Sequence, residues 1–299
     1  MNDDFNEHEM FSPAAVGRPT KAHQNPLAAY FRAPGLHIRL PSGGRFLPAG
    51  AIEFTAAGDI PVYPMRAADE LLMKAPDALM SGYAVEKLIE SCLPAIKVSG
   101  GLMSSADLDV VLLAVQAASR GDNLEISLKC PKCKEENTFD ASISRILGTL
   151  TDSQVDNTVR LSDDLVAHVR PFNVRNMTTI QLSAFETSRT LQMLEDKPDS
   201  EKITAMNAGY QKLAALEIEM IADCIISIVS PVGDITNRAD IKEFINNIPS
   251  NWSKKLSEKM KGLNEYHLDK SVVVHCTKCE HEWTTNIEVD PAGFFAQGS

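Results

Sequence analysis

Six cysteines occur in this 299-residue sequence, and four of them form two Cys-x-x-Cys pairs, Cys130-Pro131-Lys132-Cys133 and Cys276-Thr277-Lys278-Cys279. Two intervening residues let the chain turn so that both sulfurs point to one side, with N–H groups of the turn facing the thiolates. Two such knuckles supply four soft ligands, the set that closes a tetrahedral zinc site with Zn–S near ~2.3 Å. The pattern therefore names Cys130, Cys133, Cys276 and Cys279 as metal ligands and Zn²⁺ as the ion. With four protein thiolates no position stays open for water or substrate, so the metal would be structural and not catalytic. Other cysteine chemistry fits less well. A redox Cys-x-x-Cys opens a helix within a thioredoxin-like βαβ unit, a setting that neither pair has. Disulfides need an oxidising compartment, whereas Met1-Asn2-Asp3-Asp4-Phe5 does not read as a secretory leader and points to the cytoplasm. His275 and His281 flank the second knuckle, and either could take one position in a Cys₃His site.

The rest of the chain offers little other chemistry. It contains no His-Glu-x-x-His, no Gly-x-Ser-x-Gly and no dinucleotide glycine fingerprint, and the glycine pairs at 43–44 and 100–101 are not followed by Gly-Lys-Ser/Thr. No catalytic residue, small-molecule substrate or enzyme activity is expected. The formal net charge of −11 argues against general nucleic-acid binding, which draws its strength from cationic groups on phosphates. Near the knuckles Lys129, Lys132, Lys134 and Lys278 are matched by Glu135, Glu136, Glu280 and Glu282. They balance a zinc–thiolate centre of about −2 rather than making a basic patch. No apolar run approaches the length of a membrane span.

The knuckles need elements to hold them. Leu124–Leu128 alternates before the first, Val272–Val274 precedes the second, and Trp283–Val289 reads as a returning strand, so each knuckle sits in a hairpin. Together they make a zinc-ribbon-like arrangement whose halves lie far apart in sequence. Residues 1–32 are polar and interrupted by Pro13, Pro19 and Pro26, which reads as a flexible arm. Short extended pieces follow at Leu36–Leu40, Ala51–Thr55 and Ile60–Tyr63. Next comes a helical stretch broken by Pro76, and then a helix with Val85, Leu88, Ile89, Cys92, Leu93 and Ile96 on one face. Ser104 with Asp107 reads as a helix cap, Leu108, Val111, Leu112 and Val115 as the inward stripe, and Gly121 as the stop.

The second half follows a similar plan. Val169-Arg170-Pro171-Phe172 echoes Val62-Tyr63-Pro64-Met65, Cys224 stands where Cys92 does, and Arg238-Ala239-Asp240-Ile241 matches Ser105-Ala106-Asp107-Leu108. The spacings are 14 (106 − 92) and 15 (239 − 224), and each series ends in a knuckle. The expectation is an α+β fold of two related lobes, 33–148 and 149–290, joined by the Cys₄ site, with segments 60–140 and 166–287 superposing. Cys92 and Cys224 then pack as small apolar groups. A helix is expected from about Ile203 to Val229 with its apolar stripe in the core, and an extra one around Trp252, Leu256, Met260 and Leu263. Residues 291–299 form a tail carrying Phe294 and Phe295.

The run from Gly43 to about Ile146 resembles the baseplate protein family of T-even-type contractile-tailed bacteriophages. The matching features are Leu40-Pro41-Ser42-Gly43-Gly44, Pro64-Met65, Ala68-Asp69-Glu70, Leu88-Ile89-Glu90-Ser91-Cys92, Leu108–Leu113 and the first knuckle. The second half, with its knuckle and the Asp290–Phe295 ending, is similar more loosely, and the arm is a departure. The resemblance implies a baseplate hub subunit or hub-assembly chaperone, with other hub or wedge proteins as partners. It would act in the host cytoplasm during assembly and, if retained, in the virion tail. The arm and the aromatic tail are expected to make the contacts. The alternative is a zinc-ribbon nucleic-acid binder, distinguishable by a salt-dependent shift of labelled DNA or RNA.

Overall fold

The structure, a computed structural model, describes residues 25–150, 156–194, 196–264, 268–287 and 289. Residues 1–24 of the arm, and Phe294 and Phe295 of the tail, lie outside the described residues. The chain divides into two units, Met1–Arg32 and Ala33–Ser299. Within the first, Ala28–Tyr30 forms one 3₁₀ turn.

The second unit is mixed α and β. It opens with β1 (Leu36–Ile38) paired antiparallel to β2 (Ile60–Val62). Three short helices follow, α1 (Ala67–Met73), α2 (Pro76–Met80) and α3 (Tyr83–Cys92). Pro76 occupies the first position of α2, where its missing N–H costs nothing. The α3 pattern had suggested a run to Ile96, but the helix stops at Cys92, two residues before Pro94, and Ile96 bridges to Ile52 instead. Next is α4 (Ser105–Arg120), whose first turn is capped by the Ser104 hydroxyl accepting from the Asp107 N–H. Gly121 ends it at φ 95°, in the region that favours glycine. The expected one-sided stripe is too narrow. Val110 through Val115 are all buried, because the run is apolar on every side and other elements surround it.

The first knuckle hairpin is β3 (Asn123–Lys129) with β4 (Glu136–Ser142), followed by the short α5 (Ile143–Leu147). A four-stranded antiparallel sheet then assembles in the order β5 (Thr158–Arg160), β6 (Val166–Val169), β7 (Ile225–Ser230), β8 (Gly233–Ile235). Between β6 and β7 run two long helices, α6 (Val174–Met193) and α7 (Asp199–Cys224). The helix expected to reach Val229 ends at Cys224. The β-branched run from Ile225 enters the sheet instead, where such side chains pack well. The stripe at the start of α7 is not core either, since Ile203 and Tyr210 are exposed. There α7 packs closely against α6. A Cβ on Gly209 would fall 2.3 Å from Thr187 Cγ2. The chain continues through α8 (Arg238–Asn247) and α9 (Ser250–Gly262) to the second knuckle hairpin, β9 (Ser271–His275) with β10 (Glu282–Asn286).

Two apolar cores form among the described residues. One gathers side chains from β1 to α5, and the other those from β5 to α9. The second hairpin crosses over to the first core, where Ile287 is buried and Val272 packs alongside. Lys270, just before β9, donates to Asp109 of α4 at 2.7 Å. Burial pushes the Asp109 carboxyl up, against the pull of that lysine. The halves also meet where the Val174 N–H donates to the Met103 carbonyl.

One detail recurs in both halves. The N–H of Tyr63, after β2, donates to the Cys92 carbonyl at 2.8 Å, and the N–H of Arg170, after β6, donates to the Cys224 carbonyl at the same distance. Both cysteines are fully buried, and burial pushes the Cys224 thiol up to about 11, so it stays protonated and donates weakly to the Pro171 carbonyl at 3.7 Å and to Asn176 Oδ1 at 3.6 Å.

Candidate metal centre

Each knuckle is held in the same way by its hairpin. In the first, the Cys130 N–H donates to the Glu135 carbonyl and the Lys134 N–H to the Cys130 carbonyl, at 2.8 and 2.9 Å. In the second, the Cys276 N–H donates to the His281 carbonyl and the Glu280 N–H to the Cys276 carbonyl, at 2.9 and 3.0 Å. The residue after the second cysteine is left-handed both times, Lys134 at φ 61° and Glu280 at φ 54°. Nothing in the sequence signals this, because asparagine or glycine is the usual occupant of that region.

The four sulfurs come together, all within 4.8 Å of one another. The cross-knuckle pairs are the close ones, Cys130 to Cys279 at 3.7 Å and Cys133 to Cys276 at 3.5 Å. A tetrahedron with ~2.3 Å bonds has edges of about 3.8 Å, so the spacing suits a four-coordinate ion of zinc's size. All six cysteines are free of disulfides. Cys130 and Cys276 are buried, with Cys133 and Cys279 half-buried at the rim. His275 and His281 stay outside the cluster, His275 beside Glu282 at 3.4 Å and His281 stacked on Trp283.

The electrostatics are those of a thiolate cage. Burial pushes the Cys276 thiol up, but N–H groups of Cys279 and Lys278 and the neighbouring thiols donate to it and bring it down to about 6. Cys130 is lowered likewise, against its burial, by the N–H groups of Cys133 and Lys132. Cys279 goes the other way, to about 12. The His281 N–H favours its thiolate, but burial and donation to three neighbouring sulfurs keep its proton in place. Four sulfurs this close cannot all carry charge unless a cation sits among them. The four cysteines are thus positioned to hold a metal ion.

One residue of the site escaped sequence reasoning. Asn137 of β4 is buried, and its Oδ1 accepts from the N–H and the hydroxyl of Thr277 at 2.9 and 2.8 Å. Its amide nitrogen donates to the Glu135 carbonyl and lies 3.6 Å from the Cys276 sulfur. It therefore ties the two knuckles to each other. Above it Lys278 reaches Glu135 at 2.6 Å, and Phe139 meets Trp283 edge-on. An Asn137→Ala variant is expected to keep the four ligands but bind metal about 10- to 100-fold more weakly, as outer-shell losses do. Competition with a chelator of known affinity measures this, and unchanged affinity would leave Asn137 a bystander.

A sequence profile described as T4 bacteriophage base plate protein matches residues 57–296, a span that holds both knuckles. The chain belongs to that family. No curated protein and no solved structure matches it. For this base plate protein the match begins beyond the arm, at residue 57, and runs past Phe294 and Phe295. Among its described residues, no helix is long and apolar enough to cross a membrane.

Proposed function

We propose that this protein is a structural or assembly component of a phage contractile-tail baseplate, in the hub or inner wedge region. It acts by protein–protein contact, and Cys130, Cys133, Cys276 and Cys279 hold one structural zinc ion. The family match over 57–296 carries this reading, and the Cys₄ cluster supports the metal. No catalytic role is assigned to it. Its place is the host cytoplasm during assembly, and the tail baseplate for as long as it stays bound. Lobes 33–148 and 149–290 are read as a duplicated unit. The paired bonds from Tyr63 to Cys92 and from Arg170 to Cys224, and the like-built knuckles, support that reading.

A phage deleted for the gene is expected to make few or no complete contractile tails, with a wild-type copy in trans restoring them. Normal tails from the deleted phage would overturn the reading. Removal of residues 1–32, or Phe294→Ala with Phe295→Ala, should leave zinc content and melting unchanged yet end co-purification with another baseplate protein. If both variants still co-purify, the contacts belong to the lobes. Peptides of the protein in purified particles separate a resident subunit from a departing assembly factor.

A further inference from the structure

The two knuckle hairpins face each other across a cleft of about 500 Å³. One wall is β4 and the other β9, and neither pairs with a further strand among the described residues. In an antiparallel ladder, alternate residues exchange both backbone bonds with the partner strand, and those between turn their N–H and C=O outward. The phase here is fixed at both ends of each hairpin. Cys130 bonds Glu135 and Ile143 bonds Asp122, while Cys276 bonds His281 and Ile287 bonds Lys270. In β4, therefore, the N–H and C=O of Thr138 and Asp140 point away from β3. In β9 those of Val273 and His275 point away from β10. All four residues line the cleft and are exposed.

The cleft has a defined length and floor. At the metal end Asn137 holds Thr277, and at the other end the Asp269 N–H donates to the Thr149 hydroxyl at 2.9 Å. Between them each edge offers five residues, 138–142 and 271–275, or roughly 13–17 Å of strand. The floor is apolar, built from Ile126, Ala141, Ile146 and Val272, and its charged lining is Asp140 and Asp269 with Arg145.

We propose that this cleft takes an extended segment of another protein, about five residues long, as a fifth strand between β4 and β9. β4 runs away from the sulfur cluster and β9 towards it, so the added strand lies parallel to one and antiparallel to the other, bonding to both. Its side chains alternate, apolar residues seating on the floor and polar ones outward, with a lysine or arginine meeting Asp140. A second copy of this chain is a poor occupant, because copies of net charge −11 repel one another. The inference rests on the baseplate reading only for the partner's class, another protein of the tail.

The experiment follows amide hydrogen exchange in the full-length, zinc-loaded protein. The probe is an acetylated six-residue peptide of alternating valine and lysine, added to millimolar concentration. Exchange at Thr138, Asp140, Val273 and His275 is expected to slow at least tenfold, and Val273→Pro to abolish the effect. Proline at that position removes only an outward N–H, so zinc content and hairpin should survive, as they should in Val273→Ala, which keeps binding. In the deleted phage, Val273→Ala should restore tails and Val273→Pro should not. No slowing with peptide, or full rescue by a zinc-bound Val273→Pro protein, overturns the strand site and leaves the baseplate reading intact. Slowing without peptide, together with a dimer in sedimentation, assigns the cleft to a second copy and also overturns the proposal. Tails formed without the gene overturn the baseplate reading itself.

Discussion

Changing Cys276 to serine should remove the metal and destabilise the whole protein. Its sulfur is one of the four proposed ligands, and Cys133 and Cys276 lie 143 residues apart in sequence. A metal bridging them closes a long loop and restricts the unfolded chain as a cross-link does. On the loop-closure estimate a span of this order is worth about 4–5 kcal/mol. The coordination energy adds to that, because a preformed site does not exist in the unfolded chain. Wild-type protein should carry one zinc per chain by elemental analysis, and Cys276→Ser close to none. At about 2–4 °C per kcal/mol for a chain of this size, the melting temperature should fall by roughly 8–20 °C. A variant that loses its zinc but melts like the parent would show that the knuckles decorate the fold and do not hold it.

Phe172→Ala should cost nearly as much by a different route. Phe172 is 1% exposed in the second core, and its carbonyl accepts from the Asn264 side chain at 2.9 Å. Truncating a buried phenylalanine loses its transfer energy and leaves a cavity, together about 3–5 kcal/mol. Because Phe172 does not touch the sulfur cluster, the folded variant should bind zinc with parental affinity. Loss of melting temperature with the metal retained would be the mirror image of Asn137→Ala. If zinc affinity falls as well, the second core must hold the second knuckle in place.

These variants separate what local sequence specifies from what it does not. The knuckles were legible because two residues between cysteines already determine where the sulfurs point. The α4 cap was legible for the same reason, since Ser104 satisfies an N–H three residues on. Failure came where two periods agree. Ile228 continues the helical stripe of α7, but the β-branched run from Ile225 pairs with β6, a choice set by the neighbouring strand. The stripe itself misled at Ile203 and Tyr210, because periodicity shows which side is apolar and not whether anything covers it. Asn137 was invisible because its partner Thr277 lies 140 residues away and the residue type is common in turns. The outward amides of β4 and β9 were out of reach too. Alternation assigns faces to a strand, whereas free edges depend on which strands arrive beside it.

The placement of the last hairpin on the first core has a consequence for biosynthesis. The first knuckle and nearly all of its surrounding core emerge from the ribosome with two cysteines lacking their partners. Those partners follow 143 residues later, with the whole second core made in between. At about 5–20 residues per second this interval is on the order of ten seconds. Throughout it the exposed sulfurs and the bare floor beneath β9 are open to wrong partners. On the proposed zinc site, closure would register that synthesis has passed the second knuckle, since a chain truncated before Cys276 lacks two of the four clustered sulfurs.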